Sequence, residues 1–197
     1  MLREAARAGG LLLRNPAAGR ARLVRALGVI RASALFRGCR TGELVNATGY
    51  VRVVANGRIE IGDRVQLSGG MLPTSLVCHR GAELVVGART FFNYGVTVEA
   101  HERVRIGERC MFGSMSRIRD TSESGRGPVI ICDDVWVAHG AIVEPGVTIG
   151  EASVVSAGSV VVSDVPPHSL AMGNPAVCIP LVRRTLEGGA AAEQRSG

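Results

Sequence analysis

Residues 131–166 read ICDDVW VAHGAI VEPGVT IGEASV VSAGSV VVSDVP, six consecutive units of six residues. An aliphatic side chain opens every unit, at Ile131, Val137, Val143, Ile149, Val155 and Val161. Four residues later stands a small or β-branched residue: Val135, Ala141, Val147, Ser153, Ser159 and Val165. A period of six matches neither the 3.6-residue repeat of a helix nor the two-residue alternation of a half-buried strand. It matches a short strand followed by a corner, with the aliphatic side chain inward and small residues easing the turn. One coil cannot bury its own interior, so several must stack. Each inward side chain then contributes about 25 cal/mol per Å² of apolar surface removed from water.

The same phase runs backwards with interruptions, through Ile106, Phe112 and Ile118, then Val86, Phe92 and Val98, then Ile61 and Leu67. Recurrent starts mark the coils: Ile61-Gly62-Asp63, Val86-Gly87-Ala88, Ile106-Gly107-Glu108 and Ile149-Gly150-Glu151. A stretch rich in Ser, Gly, Arg and Pro, at about 123–130, reads as a loop leaving the coil. The expected class is therefore all-β, a parallel β-helix with an N-terminal helical arm and a short C-terminal tail. The arm is placed at 1–45, the coil at 46–166 and the C-terminal extension at 167–197.

Composition agrees with short strands and turns: aromatic residues are 4% of the 197 positions, and glycine occurs 26 times. Every basic residue is arginine. The net charge of +6 is uneven, because residues 1–40 hold nine arginines against the single acid Glu4. A basic arm on a mildly acidic body is the better description. Nucleic acid is not an expected partner, since the basic excess is confined to the arm and lacks interleaved aromatics. No stretch approaches a transmembrane span, and no signal peptide is evident. The five cysteines, Cys39, Cys78, Cys110, Cys132 and Cys178, lack CxxC spacing. An odd count of that kind predicts buried free thiols and a cytoplasmic protein.

In the arm, residues 2–8 and about 19–36 read as helices, broken by Gly9-Gly10 and Asn15-Pro16. Leu23, Leu27, Ile30 and Ala34 follow helical spacing among arginines. One reading is an interfacial helix making peripheral contact with anionic lipid at the inner membrane surface. The other is a helix packed on the coil or on a neighbouring subunit.

Several strings go beyond periodicity. Asp134-Val135-Trp136-Val137, Val143-Glu144-Pro145-Gly146-Val147-Thr148-Ile149-Gly150, Ala157-Gly158-Ser159-Val160-Val161, Asp164-Val165-Pro166-Pro167 and Gly173-Asn174-Pro175-Ala176 resemble the hexapeptide-repeat acyltransferases. The likeness covers about 55–180 and looks closest to the maltose and galactoside acetyltransferases and the O-acetyltransferases of surface polysaccharide synthesis. It implies a left-handed coil of triangular section with three hexapeptides per turn. It also implies a homotrimer with sites between subunits, acetyl-CoA as co-substrate, and a small-molecule acceptor such as a sugar or natural-product hydroxyl. A loop histidine serves that family as general base, and backbone N–H groups steady the thioester oxyanion.

The chain departs from this pattern where it matters. The loop follows Arg117-Ile118 and reads Arg119-Asp120-Thr121-Ser122-Glu123-Ser124, so Glu123 or Ser124 takes the place of the histidine. No histidine occurs from residue 102 to residue 138. Glu123 could act as base if burial raised its pKa, and Ser124 would need a partner base to act as nucleophile. His139, three residues after Trp136, lies at a corner that the resemblance places beside the thioester. His101 falls beneath Thr121 by stacking arithmetic. Each is a candidate relocated base, and each could instead be a solvated corner histidine; His79 and His168 are expected to do no chemistry. Trp136 suits a pantetheine arm or sugar face. Trp136, His139, Ala157, Val162, Ser163 and Arg183 are the candidate CoA contacts, although Val162-Ser163 and Val177 stand where the family has cations. Asn93 is read as part of an internal asparagine ladder.

No metal is expected. The γ-class carbonic anhydrases share the coil and bind zinc through three histidines, but no two histidines here lie close enough in sequence for their paired spacing. Three function classes remain open: an acyltransferase, a non-catalytic coil that binds a ligand or partner, and altered chemistry on the same scaffold.

Overall fold

Stacking hexapeptides in register requires equivalent strands of successive coils to pair in parallel, and the computed structural model, which describes residues 16–181, pairs the strands of successive coils in this way in three sheets. The first sheet holds Arg40–Thr41, Arg58–Ile61, Glu83–Val86, Arg103–Ile106, Val129–Ile131 and Thr148–Ile149. The second runs from Asn46–Thr48 to Val154–Val155 and ends with Ser169–Gly173 and its antiparallel partner Ala176–Pro180. The third runs from Val51–Ala55 to Val160–Val161. The fold is a parallel β-helix of about six turns. In its last turns Ile131 pairs with Ile149, Val137 with Val155 and Val143 with Val161, three hexapeptides per turn.

The aliphatic column is the core: Ile131, Val137, Val143, Ile149, Val155 and Val161 are all buried to within 1%. Val135, Ala141, Val147, Ser153, Ser159 and Val165 are buried beside them. Phe92 and Phe112 stack within the same interior, their ring centroids 4.8 Å apart. Glycine is not the general solution at the corners. Between the first and second sheets the left-handed position is taken by Leu44, Arg64, Arg89, Arg109, Asp134 and Ala152. Such a backbone costs roughly 1–2 kcal/mol per residue. Backbone hydrogen bonds to the coil below offset it, as from Arg64 N to Glu43 O and Arg89 N to Asp63 O. Between the second and third sheets glycine takes that position at Gly95, Gly140 and Gly158, with φ of 73°, 65° and 68°, but Met115 takes it too, at 60°.

The helix expected at about 19–36 spans Pro16–Leu35, starting three residues earlier with proline in its first turn. It packs on the first coil through Gly28 and Ala32, with Phe36 buried just beyond its end; a Cβ on Gly28 would stand 2.5 Å from the Asn46 side chain. Leu23, Leu27 and Ile30, the stripe noted in the sequence, are exposed. Close packing selected the small residues of the adjacent face instead. The helix expected at 2–8 lies outside the described residues. No helix among the described residues is long and apolar enough to cross a membrane.

All five cysteines are free, but only Cys78 and Cys110 are buried. Burial pushes the Cys110 thiol up to about 11, so it is an inert core residue.

Candidate functional site

Two columns of polar residues run along opposite edges of the third sheet. The first lies at the corner between the second and third sheets. Val137 pairs with Phe112 below and Val155 above, which stacks His139 over Ser114 and beneath Ala157. Ser114 Oγ and His139 Nδ1 are 2.7 Å apart. The backbone locks the same corner, through Gly140 N to Ser114 O and Gly158 N to His139 O. Gly113 has no room for a side chain, since a Cβ there would stand 2.5 Å from His139 N. His139 is thus an exposed imidazole on a rigid corner, with one ring nitrogen held and the other available. Trp136, half-exposed, sits just before it on the outer face of the second sheet.

The second column lies between the third and first sheets. Arg119 pairs with Glu99, which sets Thr121 above His101 as the stacking arithmetic predicts. Asp120 is fully buried beneath this corner. Its Oδ1 accepts from His101 N at 2.8 Å, and its Oδ2 accepts from Glu102 N and Arg103 N, each at 2.7 Å. His79 stacks on His101 with ring centroids 3.8 Å apart. Both Nε2 atoms meet Glu99 Oε1, at 2.9 Å from His79 and 3.2 Å from His101. These bonds, led by that from His79, hold the Glu99 carboxyl below its usual range. The two histidines are far apart in sequence, but one turn of the coil places them side by side. Sequence separation was therefore no argument against a paired-histidine site.

Above them the chain leaves the coil as a small antiparallel ribbon, Thr121–Ser122 with Gly125–Arg126, and rejoins the first sheet at Val129. Val129 and Ile130 are strand rather than loop, because they pair with Val104 and Arg105. At the base of the ribbon Arg119 forms an ion pair with Glu144, whose side chain is 12% exposed. Burial would raise the Glu144 pKa, but donors from Arg119, Ser122 and Ser124 override it and hold the carboxyl below its usual range. A carboxylate depressed in this way stabilises the fold above its unfolded pKa, and the contribution is lost as pH falls through the folded value. Arg119→Ala is expected to cost about 2 kcal/mol at neutral pH, less than a fully buried pair because Arg119 is partly exposed. Thermal melts should show the gap between the two proteins closing below about pH 4; a gap independent of pH would contradict this assignment.

No protein-family model matches the chain. Among curated proteins it is 37% identical over 107 residues to a candidate acetyltransferase of Schizosaccharomyces pombe, covering 49% of this chain and 52% of that protein. It is 30% identical over 106 residues to the galactoside O-acetyltransferase of Escherichia coli, covering 48% of this chain and 52% of the relative. The chain thus spans about half the length of both relatives. The solved hexapeptide-repeat acetyltransferase of Vibrio cholerae, in complex with acetyl coenzyme A, superposes with a TM-score of 0.52 at 22% identity. It covers 84% of this chain and 90% of its own. The coil shares the fold of that solved acetyltransferase. It is the left-handed parallel β-helix that the motifs imply.

Measured against the pattern of the hexapeptide-repeat acyltransferases, the candidate residues fall into separate groups. Trp136, His139 and Ala157 share the first corner. His101, the ribbon residues Glu123 and Ser124, and Val162 and Ser163 line the second, because Val161 pairs with Val143 and carries Val162 over Glu144. Roughly 10–15 Å of strand separates the two corners. Arg183 lies outside the described residues. Glu123 is exposed at the ribbon tip, so the burial that would make it a base is absent. Ser124 Oγ bonds Ser122 Oγ and Glu144 Oε2, and a carboxylate held low by Arg119 is too weak a base to activate it. Asn93 forms no ladder: its Oδ1 accepts from Tyr94 N, and glycine, Gly113, occupies the next coil. Ser114 and Glu99 escaped the sequence reading, and His79 was set aside there as expected to do no chemistry. Counting one coil back from His139 and His101 would have found Ser114 and His79.

Proposed function

We propose that this chain is an acyltransferase that moves an acetyl group from acetyl-CoA to a hydroxyl of a sugar or natural product. The observation that carries the reading is His139, pinned by Ser114 on a rigid corner of an acetyltransferase-type coil, three residues from an exposed strand tryptophan. With Ser114 Oγ accepting from Nδ1–H, Nε2 is the basic atom; this tautomer is an assignment that the mechanism requires. Nε2 takes the proton of the acceptor hydroxyl as its oxygen attacks the thioester carbonyl carbon. A corner N–H steadies the tetrahedral oxyanion. Collapse then breaks the carbon–sulfur bond, and the CoA thiolate leaves with the proton carried by His139. Trp136 packs the pantetheine arm, while Ala157, Val162, Ser163 and Arg183 complete the CoA contacts.

The chain works as a homotrimer in this reading. Val162 and Ser163 share no corner with His139, so one cleft can hold both groups only if the second corner belongs to a neighbouring protomer. The outer face of the second sheet supports this with an apolar ladder, Phe91, Met111, Trp136, Val154 and Leu170, in register on successive coils. Met111 and Trp136 are 52% and 50% exposed, more than a lone soluble chain needs to leave open. His101, oriented by Glu99, is supported as a second base position facing such a cleft. A cytoplasmic location fits the five free thiols. The exposed stripe Leu23, Leu27 and Ile30 supports peripheral contact by the arm, with the inner membrane surface or a neighbouring protomer.

Calorimetric titration with acetyl-CoA, followed by thiol-release assays on a panel of sugar hydroxyls, tests the reading. Saturable binding at or below millimolar concentration with acceptor-dependent CoA release is expected. Absence of binding in that range would leave a non-catalytic ligand- or partner-binding coil, or another chemistry on the same scaffold.

A further inference from the structure

We infer that His79, Glu99 and His101 form a binding site for a divalent first-row transition ion of the zinc class. The inference stands apart from the acyltransferase reading and uses none of its residues except His101. One ligand atom from each residue lies within 4.8 Å of the other two. The set, two imidazoles and one carboxylate, is chemically suited to zinc, cobalt or iron and poorly suited to calcium or magnesium, which take oxygen donors. It differs from the three-histidine arrangement considered above in its donors.

The scaffold brings the donors together without loop movement. His79 and His101 occupy the same corner of successive coils, and Glu99 precedes the second by two residues, on the same outer face of the third sheet. Backbone bonds from His79 N to Ala100 O and from His101 N to buried Asp120 fix both corners. Asp120 also places a second negative charge behind the site. The nitrogens already converge, since both Nε2 atoms address the same oxygen, Glu99 Oε1. Zinc needs ligand atoms about 2.0–2.1 Å from the metal, hence roughly 3.3 Å apart. Rotation of the stacked rings and the carboxylate closes that gap while the backbone stays fixed. All three side chains are between 34% and 40% exposed, so a cation can enter, and a fourth position remains for water or a ligand oxygen. The ion pair of His168 with Glu151, at 3.7 Å, has one histidine and an open setting, and serves as an internal control.

The test uses the untagged full chain, stripped with chelator and titrated with Zn2+ and with Co2+ in the absence of CoA. One equivalent of saturable binding is expected, with a Co2+ spectrum of nitrogen and oxygen ligation and no thiolate charge-transfer band. His79→Ala and His101→Ala should each weaken binding at least tenfold, Glu99→Gln should weaken it while preserving shape, and His168→Ala should leave it unchanged. Zinc should also raise the melting temperature of the parent protein and not that of His79→Ala, which checks that the variant folds. Three results would overturn the assignment: no saturable binding, binding indifferent to His79 and His101, or a thiolate band pointing to the cysteines. Failure here leaves acetyl-CoA binding untouched, so the two readings fall separately.

Discussion

Asp120→Ala is expected to lower the unfolding free energy by about 4 kcal/mol, the largest effect expected of a single polar substitution among the described residues. The carboxylate is fully buried and satisfies three consecutive backbone donors, His101 N, Glu102 N and Arg103 N. Each buried donor left unpaired costs about 1–3 kcal/mol, and bonds to a charged acceptor lie at the upper end. Alanine removes both acceptor oxygens at once and leaves all three donors without them. Asparagine is the informative comparison. It can still accept from Glu102 N and Arg103 N but turns its own N–H2 towards His101 N, so it should recover only part of the loss. Denaturant unfolding measures both. Equal stability of the parent protein and Asp120→Ala would show that the corner is held by the coil ladder alone. The corner carries His101 and the base of the ribbon, so the same substitution should weaken metal binding through loss of position.

His139→Ala is expected to lower kcat for acetyl transfer by about 10²–10⁴-fold, the range of a positioned general base. Acetyl-CoA affinity should change little, because the imidazole acts on the acceptor hydroxyl and Trp136 remains. Ser114→Ala should act through His139: a smaller loss in kcat, accompanied by a changed pH–rate profile as the ring is freed to turn. A loss below tenfold in His139→Ala, about 1.4 kcal/mol of barrier, would dismiss it as the base. His101→Ala then becomes the decisive variant. A profile unmoved by Ser114→Ala would confine Ser114 to packing.

The repeat was the part of this protein most easily read from its residues. Ile131, Val137 and Val143 announce a common interior because a six-residue period has one economical solution, and the structure buries each of them completely. The corners were less legible. Arg64, Arg89 and Arg109 adopt left-handed backbone with nothing in their identity to signal it, since the hydrogen bonds that hold them come from the coil below. The helix face was misleading for a related reason. Leu23, Leu27 and Ile30 have the spacing of a buried stripe, yet the tight approach to Asn46 admits only Gly28 and Ala32.

Sequence by itself determined the coil, its phase and the absence of a histidine from the loop, because these depend on periodic spacing along one chain. Tertiary stacking decided the partners: Ser114 for His139, Asp120 for the corner at 101–103, and Glu99 with His79 for His101. The physical reason is that a coil converts distances along the chain into neighbours one turn away. The length of each turn, 18 residues in the regular part and up to 25 where the ribbon or another insertion intervenes, is fixed only when every strand has found its register.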